Sequence, residues 1–154
     1  MFVNRREVTI EWGDCDPAGI VFFPNYLKYF DAATNTLFLS ALGLNKYEMI
    51  RKYGISGIPL VDVGARFFIP SVFGEVVTIE STVAEIKRSS FRMQHRLLKG
   101  DALAIDETVS SGRHQCLQDD GLPCAEVNVV ARSELYPAAG LDSKCAIAVE
   151  FSVS

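Results

Sequence analysis

Two aspartates stand two residues apart in the run Gly13-Asp14-Cys15-Asp16-Pro17-Ala18-Gly19-Ile20-Val21-Phe22-Phe23-Pro24-Asn25-Tyr26, at the junction between a strand-like and a helix-like segment. Acids at such a junction have a chemical use. The free N–H groups of the first helical turn, with the helix dipole behind them, hold a developing negative charge while a carboxylate attacks an electrophile or activates water. The same residues also have a plainer reading. Asp-Pro and Ala-Gly are common turn formers, so the run is equally a structural loop with a capping aspartate. Local chemistry leaves the two readings side by side.

The elements that would position this loop follow from periodicity. Between Val3 and Trp12, Val8, Ile10 and Trp12 alternate with Glu7, Thr9 and Glu11, which predicts a half-buried strand. From Pro24 the period lengthens. Tyr26, Leu27, Phe30, Ala33, Leu37, Phe38 and Ala41 fall on one broad stripe, as a core-facing helix requires, and Pro24 suits its first turn. Gly43 is placed to end that helix, and Asn45 with Glu48 reads as a capping pair opening a shorter helix through Tyr53. After Gly54 and Gly57 the chain is strand-like over residues 58–69, 75–86, 90–98 and 102–115, with a hairpin signal at Asp119-Asp120-Gly121 and a last strand at 125–131. This order predicts an α+β domain, an antiparallel sheet of five to six strands packed on one long helix, with a tail over residues 137–154. Such a sheet leaves edges that pair with another subunit, so a homo-oligomer is expected.

Composition narrows the class. The 154 residues are 49% hydrophobic and 22% charged, as in a soluble domain with a sizeable core, and a net charge of −4 argues against a broad nucleic-acid surface. The absence of a long apolar run and of a signal-type segment predicts no membrane span and a cytoplasmic location. Cys15, Cys116, Cys124 and Cys145 lack zinc-site spacing and read as free structural thiols. His95 and His114 fall on predicted strands and form no metal pattern with the acids, so both read as surface or structural residues.

The opening run, with Asp31-Ala32-Ala33 on the helix, Gly57-Ile58-Pro59, Thr78-Ile79-Glu80 and Lys87-Arg88-Ser89-Ser90-Phe91, resembles the 4-hydroxybenzoyl-CoA thioesterase family of the hot-dog fold. The resemblance covers residues 8 to 99 well and weakens beyond Ala104. It implies a single hot-dog domain over residues 1–136, with a long central helix wrapped by a curved sheet. It also implies a homodimer or homotetramer with active sites between subunits, and hydrolysis of an acyl-CoA without metal or redox cofactor.

Residue by residue, the resemblance puts the catalytic carboxylate at Asp16, as nucleophile or as general base for water, and leaves Asp14 as a loop-bonding residue. It places the Phe23 backbone N–H at the thioester carbonyl, and Gly19 would let the loop turn tightly there. Some related thioesterases carry a histidine where Phe23 stands, so a His-assisted mechanism is disfavoured here. Asp31 corresponds to a position that meets the ring hydroxyl of a 4-hydroxybenzoyl group; its plainer reading is an exposed helix acid. Asp62, between Val61 and Val63, is a further candidate pocket acid. Lys87, Arg88, Ser89 and Ser90 match the CoA-contacting region, where cations and hydroxyls meet phosphates, with Arg66 or Arg132 as candidate contributors from a neighbouring subunit. A basic pair at a strand junction is otherwise a solvated turn. Two alternatives remain: a thioesterase acting on an acyl-carrier protein, and a non-catalytic hot-dog module that binds acyl-CoA.

Overall fold

The first strand stops short of its alternation. In the computed structural model, which describes residues 2–53, 57–87 and 90–112, β1 covers Asn4–Thr9, and the chain then turns into a short 3-10 helix at Trp12–Asp14. The turn is closed by the Asp14 carboxylate, which accepts the Glu11 N–H at 3.0 Å. Trp12 therefore does not join Val8 and Ile10 on the inner face as expected; it is 70% exposed and meets Phe73 edge-on at 5.6 Å.

The long helix, α1, runs Pro24–Leu42. Pro24 sits in its first turn, and Gly43 ends it at φ 68°, a left-handed conformation that costs a glycine nothing. Its buried face is Tyr26, Tyr29, Phe30, Ala33, Thr34, Leu37 and Phe38, so the stripe is turned slightly from the expected one: Leu27 is exposed, and Tyr29 and Thr34 lie inside. The second helix, α2, spans Lys46–Tyr53. Its start is the expected reciprocal cap, with Glu48 N–H donating to Asn45 Oδ1 at 2.9 Å and Asn45 N–H to Glu48 Oε2 at 2.8 Å.

The remaining strands are β2 (Leu60–Phe67), β3 (Val76–Ile86), β4 (Ser90–Lys99) and β5 (Ala102–Gly112). They form one antiparallel sheet in the order β1-β3-β4-β5-β2. The sheet and α1 make the α+β architecture, with five strands among the described residues. The Asp119–Gly121 hairpin, the strand at 125–131, the 137–154 tail, His114, Cys116, Cys124, Arg132 and Cys145 lie outside them. No helix of the described residues is long and apolar enough to cross a membrane.

The two sheet edges differ. On β1, Arg5 pairs with Glu80 at 2.8 Å and Glu7 faces solvent, whereas β2 exposes Leu60, Val61, Val63 and Phe67. The interior is also divided. Ile10, Val21, Tyr26, Phe30, Val77, Ile79, Leu97 and Ile105 belong to one apolar cluster, and Leu37, Phe38, Met49 and Met93 to a second. Leu37, 1% exposed, anchors the second cluster from α1. Its truncation, Leu37→Ala, is expected to cost about 2–5 kcal/mol by removing buried methyls and leaving a cavity, read as a lowered urea midpoint at unchanged slope.

Candidate active site

The loop after β1 is built by backbone hydrogen bonds that fold it back on itself. Asp16 N–H donates to Ile20 O at 2.9 Å and Gly19 N–H to Asp16 O at 2.9 Å, so Asp16-Pro17-Ala18-Gly19 is a closed β-turn with Pro17 where its fixed φ is favourable. Gly19, at φ 77°, takes the left-handed conformation that lets the chain return. The returning arm is tied to a distant segment: Val21 N–H donates to Ser71 O at 2.9 Å and Ile20 bridges Val72. Ser71 N–H in turn donates to the Tyr26 hydroxyl at 3.1 Å, fastening the first turn of α1 to the same segment.

Within this frame the two aspartates have different surroundings. The Asp14 side chain caps Glu11, and its carbonyl accepts both the Phe22 N–H and the Asn25 side-chain amide, each at 2.9 Å. Its backbone carbonyl and one carboxylate oxygen are thus engaged within the loop and at the head of α1. Asp16 is half-buried; its Oδ1 accepts the Ala18 N–H at 2.8 Å, and its other carboxylate oxygen has no donor among the described residues. At the head of α1, Asn25 N–H donates to Phe22 O at 2.9 Å and Tyr26 N–H to Phe23 O at 3.2 Å, and Pro24 has no N–H. Among the described residues no acceptor takes the Phe23 N–H, which leaves one free donor at the positive end of the helix. The Phe23 ring is 62% exposed and stands edge-on to Phe22, so its side chain is no part of the core. A carboxylate with one free oxygen beside a helix end with one free amide can attack, or activate water against, a carbonyl whose oxygen sits on that amide.

The other candidate residues are distributed around the domain. Asp31 lies on the outer face of α1, its side chain 77% exposed and ion-paired with Lys46 of α2. Asp62 is exposed on β2 beside an irregularity in its pairing with β5. Lys87 follows β3, is exposed, and approaches Glu85 at 3.6 Å, while Ser90 opens β4 half-buried; Arg88 and Ser89 lie outside the described residues. Arg66 is exposed on β2.

One constellation was not anticipated. The strand registers pair Asn4 with Ser81, Ser81 with His95, His95 with Glu107, and Glu107 with Ala65, a single row crossing all five strands. Asn4, Ser81, His95 and Glu107 are all buried. Burial lowers the His95 pKa to about 4, with nearby Lys46 adding to the drop and Asp31 opposing it. Burial raises Glu107 to about 8, and its Oε2 has no hydrogen-bond partner. The signal was present in the sequence: Met93-His95-Leu97 and Ile105-Glu107-Val109 each place a titratable residue at an inward position of an alternating strand.

Residues 10–132 match the model of the thioesterase-like superfamily. The chain is 42% identical over 87 residues to the 4-hydroxybenzoyl-CoA thioesterase of Pseudomonas sp. (strain CBS-3), a match that spans 56% of this chain and 61% of that relative. The solved structure of 4-hydroxybenzoyl CoA thioesterase from the same strain superposes with a TM-score of 0.70 at 30% identity, covering 84% of this chain and 94% of that one. A gentisyl-coenzyme A thioesterase structure superposes with a TM-score of 0.64 at 32% identity, covering 71% and 86%.

The buried row sets a pH dependence of stability. Glu107, raised from 4.5 to about 8, holds its proton more tightly in the folded chain, so its contribution is complete below pH 4.5 and is lost as the pH rises through 8. His95, lowered from 6.5 to about 4, contributes fully above pH 6.5 and loses that contribution as the pH falls through 4. The two slopes oppose each other between pH 4.5 and 6.5, and from 6.5 to 8 the Glu107 slope of ~1.4 kcal/mol per pH unit stands alone. Glu107→Gln is expected to flatten that decline in urea unfolding measured at pH 6.5 and 8, and an equal decline in the variant would refute the assignment.

Proposed function

Because this chain belongs to the thioesterase-like superfamily and has its hot-dog fold, we propose that it hydrolyses an acyl-CoA thioester to a carboxylic acid and free CoA. The observation that carries this reading is that the loop opening α1 holds, among the described residues, one Asp16 carboxylate oxygen without a donor and the Phe23 N–H without an acceptor. The thioester carbonyl oxygen accepts the Phe23 N–H, and the helix dipole adds to the stabilisation of the oxyanion. The carbonyl carbon is then attacked by the Asp16 carboxylate, which gives a mixed anhydride that water opens, or by a water whose proton Asp16 takes. In both routes the C–S bond breaks and CoA leaves as the thiol. Gly19 holds the turn that brings the Asp16 side chain and the returning strand together. The scheme uses no metal or redox cofactor.

The acyl group proposed is aromatic and hydroxylated. The relatives named above act on 4-hydroxybenzoyl-CoA and gentisyl-CoA, and Asp31 and Asp62 are acids on the two elements that would flank such a ring. Asp31 is exposed within one subunit, so its contact with a ring hydroxyl requires a second subunit to close the pocket. The apolar β2 edge supplies the surface for that partner, whereas the charged β1 edge does not. The β3–β4 turn, with Lys87, Arg88, Ser89 and Ser90, is the proposed seat of the CoA phosphates. A CoA ester substrate accords with the cytoplasmic location expected from the sequence.

Free-thiol release from 4-hydroxybenzoyl-CoA, gentisyl-CoA, an aliphatic acyl-CoA and an acyl-carrier protein tests the reading. Turnover is expected for the hydroxylated aroyl-CoA esters, and Asp16→Asn should lower it at least about 100-fold while leaving a folded oligomer. Phe23→Leu, which keeps the amide, should remain within about tenfold of the parent, since a lost oxyanion donor costs about 10²–10³ in kcat. CoA binding without turnover of any ester would replace this reading by the binding module. On β2, Val63→Asp is expected to shift the oligomer to monomer in light scattering and to abolish turnover with it.

A further inference from the structure

The row that crosses the sheet also divides the core. On β3, Ile79 and Val83 flank Ser81; on β4, Leu97 and Met93 flank His95; on β5, Ile105 and Val109 flank Glu107. In each strand the first-named residue belongs to the cluster beneath the start of α1 and the second to the cluster beneath its end. The helix shows the same division: Phe30 and Ala33 lie in one cluster, Leu37 and Phe38 in the other, and Thr34 falls between them. Thr34 is where the helix meets the middle of the row, and Ser40 meets its β1 end by donating to Asn4 Oδ1 at 3.0 Å.

The hydrogen bonds there fix the state of the imidazole. Thr34 Oγ1 donates to Phe30 O at 3.0 Å within the helix, so its remaining capacity toward His95 is as an acceptor. With that hydroxyl committed to Phe30 O, a proton on His95 Nε2, 3.3 Å from Thr34 Oγ1, completes the bond. Nδ1 is then the acceptor, and the Ser81 hydroxyl at 2.8 Å donates to it. The ring is stacked on Phe30 at 5.5 Å, which holds its plane. The groups around it are Glu107 opposite on β5, Lys46 on α2 and Asp31 on α1.

We propose that His95, as an Nε2–H imidazole between Ser81 and Thr34, is the positioning residue that sets the axial register of α1 on the sheet and so fixes the Phe23 amide relative to Asp16. Apolar contacts alone define such a register loosely, because a helix sliding along an apolar surface exchanges one methyl contact for another. A buried donor–acceptor chain does not slide: displacement leaves buried polar groups unpaired. Registry is also the best-attested role of buried polar groups. The helix is continuous from its head to Thr34, so the register set at Thr34 reaches Phe23, while Asp16 is held by the loop and by the Ser71–Val72 segment, to which the Tyr26 hydroxyl ties the first turn of α1. His95 touches neither reacting atoms nor substrate in this account.

The inference rests on the thioesterase reading for its kinetic arm and stands without it for its spectroscopic arm. Thr34→Val keeps the side-chain volume and removes the acceptor; His95→Leu removes both bonds; His95→Gln retains one donor and one acceptor. In protein shown by circular dichroism to be folded, Thr34→Val and His95→Leu are expected to lower kcat about 10- to 100-fold with KM nearly unchanged, and His95→Gln to recover most of the loss. Independently of activity, ¹H–¹⁵N spectra of the parent should show the imidazole proton on Nε2, and the Phe23 amide resonance should move in Thr34→Val. An Nδ1–H tautomer, an unmoved Phe23 amide, or an unchanged kcat beside a lowered melting temperature would each overturn the proposal. Failure of the parent to release thiol from any ester would refute the thioesterase reading alone and leave the spectroscopic test decisive for His95.

Discussion

The structure depends on one constraint: a polar row is buried beneath α1, the one long helix among the described residues, and its polar atoms need partners there. Ser81, His95 and Thr34 supply them to one another with three groups and two hydrogen bonds, and Asn4 finds one through Oδ1, which accepts the Ser40 hydroxyl at 3.0 Å. Two atoms of the row are exceptions: Asn4 Nδ2 and Glu107 Oε2 have no hydrogen-bond partner among the described residues. Burying a neutral carboxyl is far cheaper than burying a carboxylate, which is why the raised pKa and the missing partner belong together. The apolar clusters supply the driving force on either side of the row. The row supplies the register, because an apolar surface tolerates slippage and a buried hydrogen bond does not.

The two groups of the site are held on two supports. Asp16 is fixed by its own turn and by the strand-like pairing of Ile20 and Val21 with Ser71 and Val72. The Phe23 amide is fixed by the helix. The bond from Ser71 N–H to the Tyr26 hydroxyl joins the two supports one turn into α1. Tyr29, a turn further, keeps the helix against the loop from the inside: its buried hydroxyl is held above the ordinary phenol range by burial and then by Asp14. Hydrolysis as proposed demands that two groups on separate supports stay in one relative position, and here the supports are bonded to each other rather than merely adjacent.

The parts of this arrangement that could be read in the sequence are those with a local code. The period of α1, the cap formed by Asn45 and Glu48, Gly43 as a stop, and the strands from 60 to 112 follow from side-chain spacing and turn chemistry, and all stand in the fold. Asp14 has a local bond of the kind a turn acid makes, its Oδ2 accepting the Glu11 N–H three residues back. Trp12 was misplaced because alternation carries no sign of where a strand stops; the carboxylate of Asp14, two residues later, ends it. His95 was read as a surface or structural residue without its partners, because Ser81, Thr34 and Glu107 come from three other elements and strand register is not written in any one of them.

Among the described residues β2 is bonded to β5 on one side only, and Val63 and Phe67 on one of its faces and Leu60 with Val61 near its start are all exposed. An open apolar edge of this length is a template for pairing with another strand, and natural sheets cover or charge such edges. The β1 edge is charged; the β2 edge is not. A second copy laid against β2 would also lie beside Ala65, the small residue at the end of the buried row, and beside Phe67, which packs on Tyr26 at the head of α1. Oligomer contact and active-site frame would then meet at the same few residues, so the partner that hides the edge would also bear on the loop that carries Asp16.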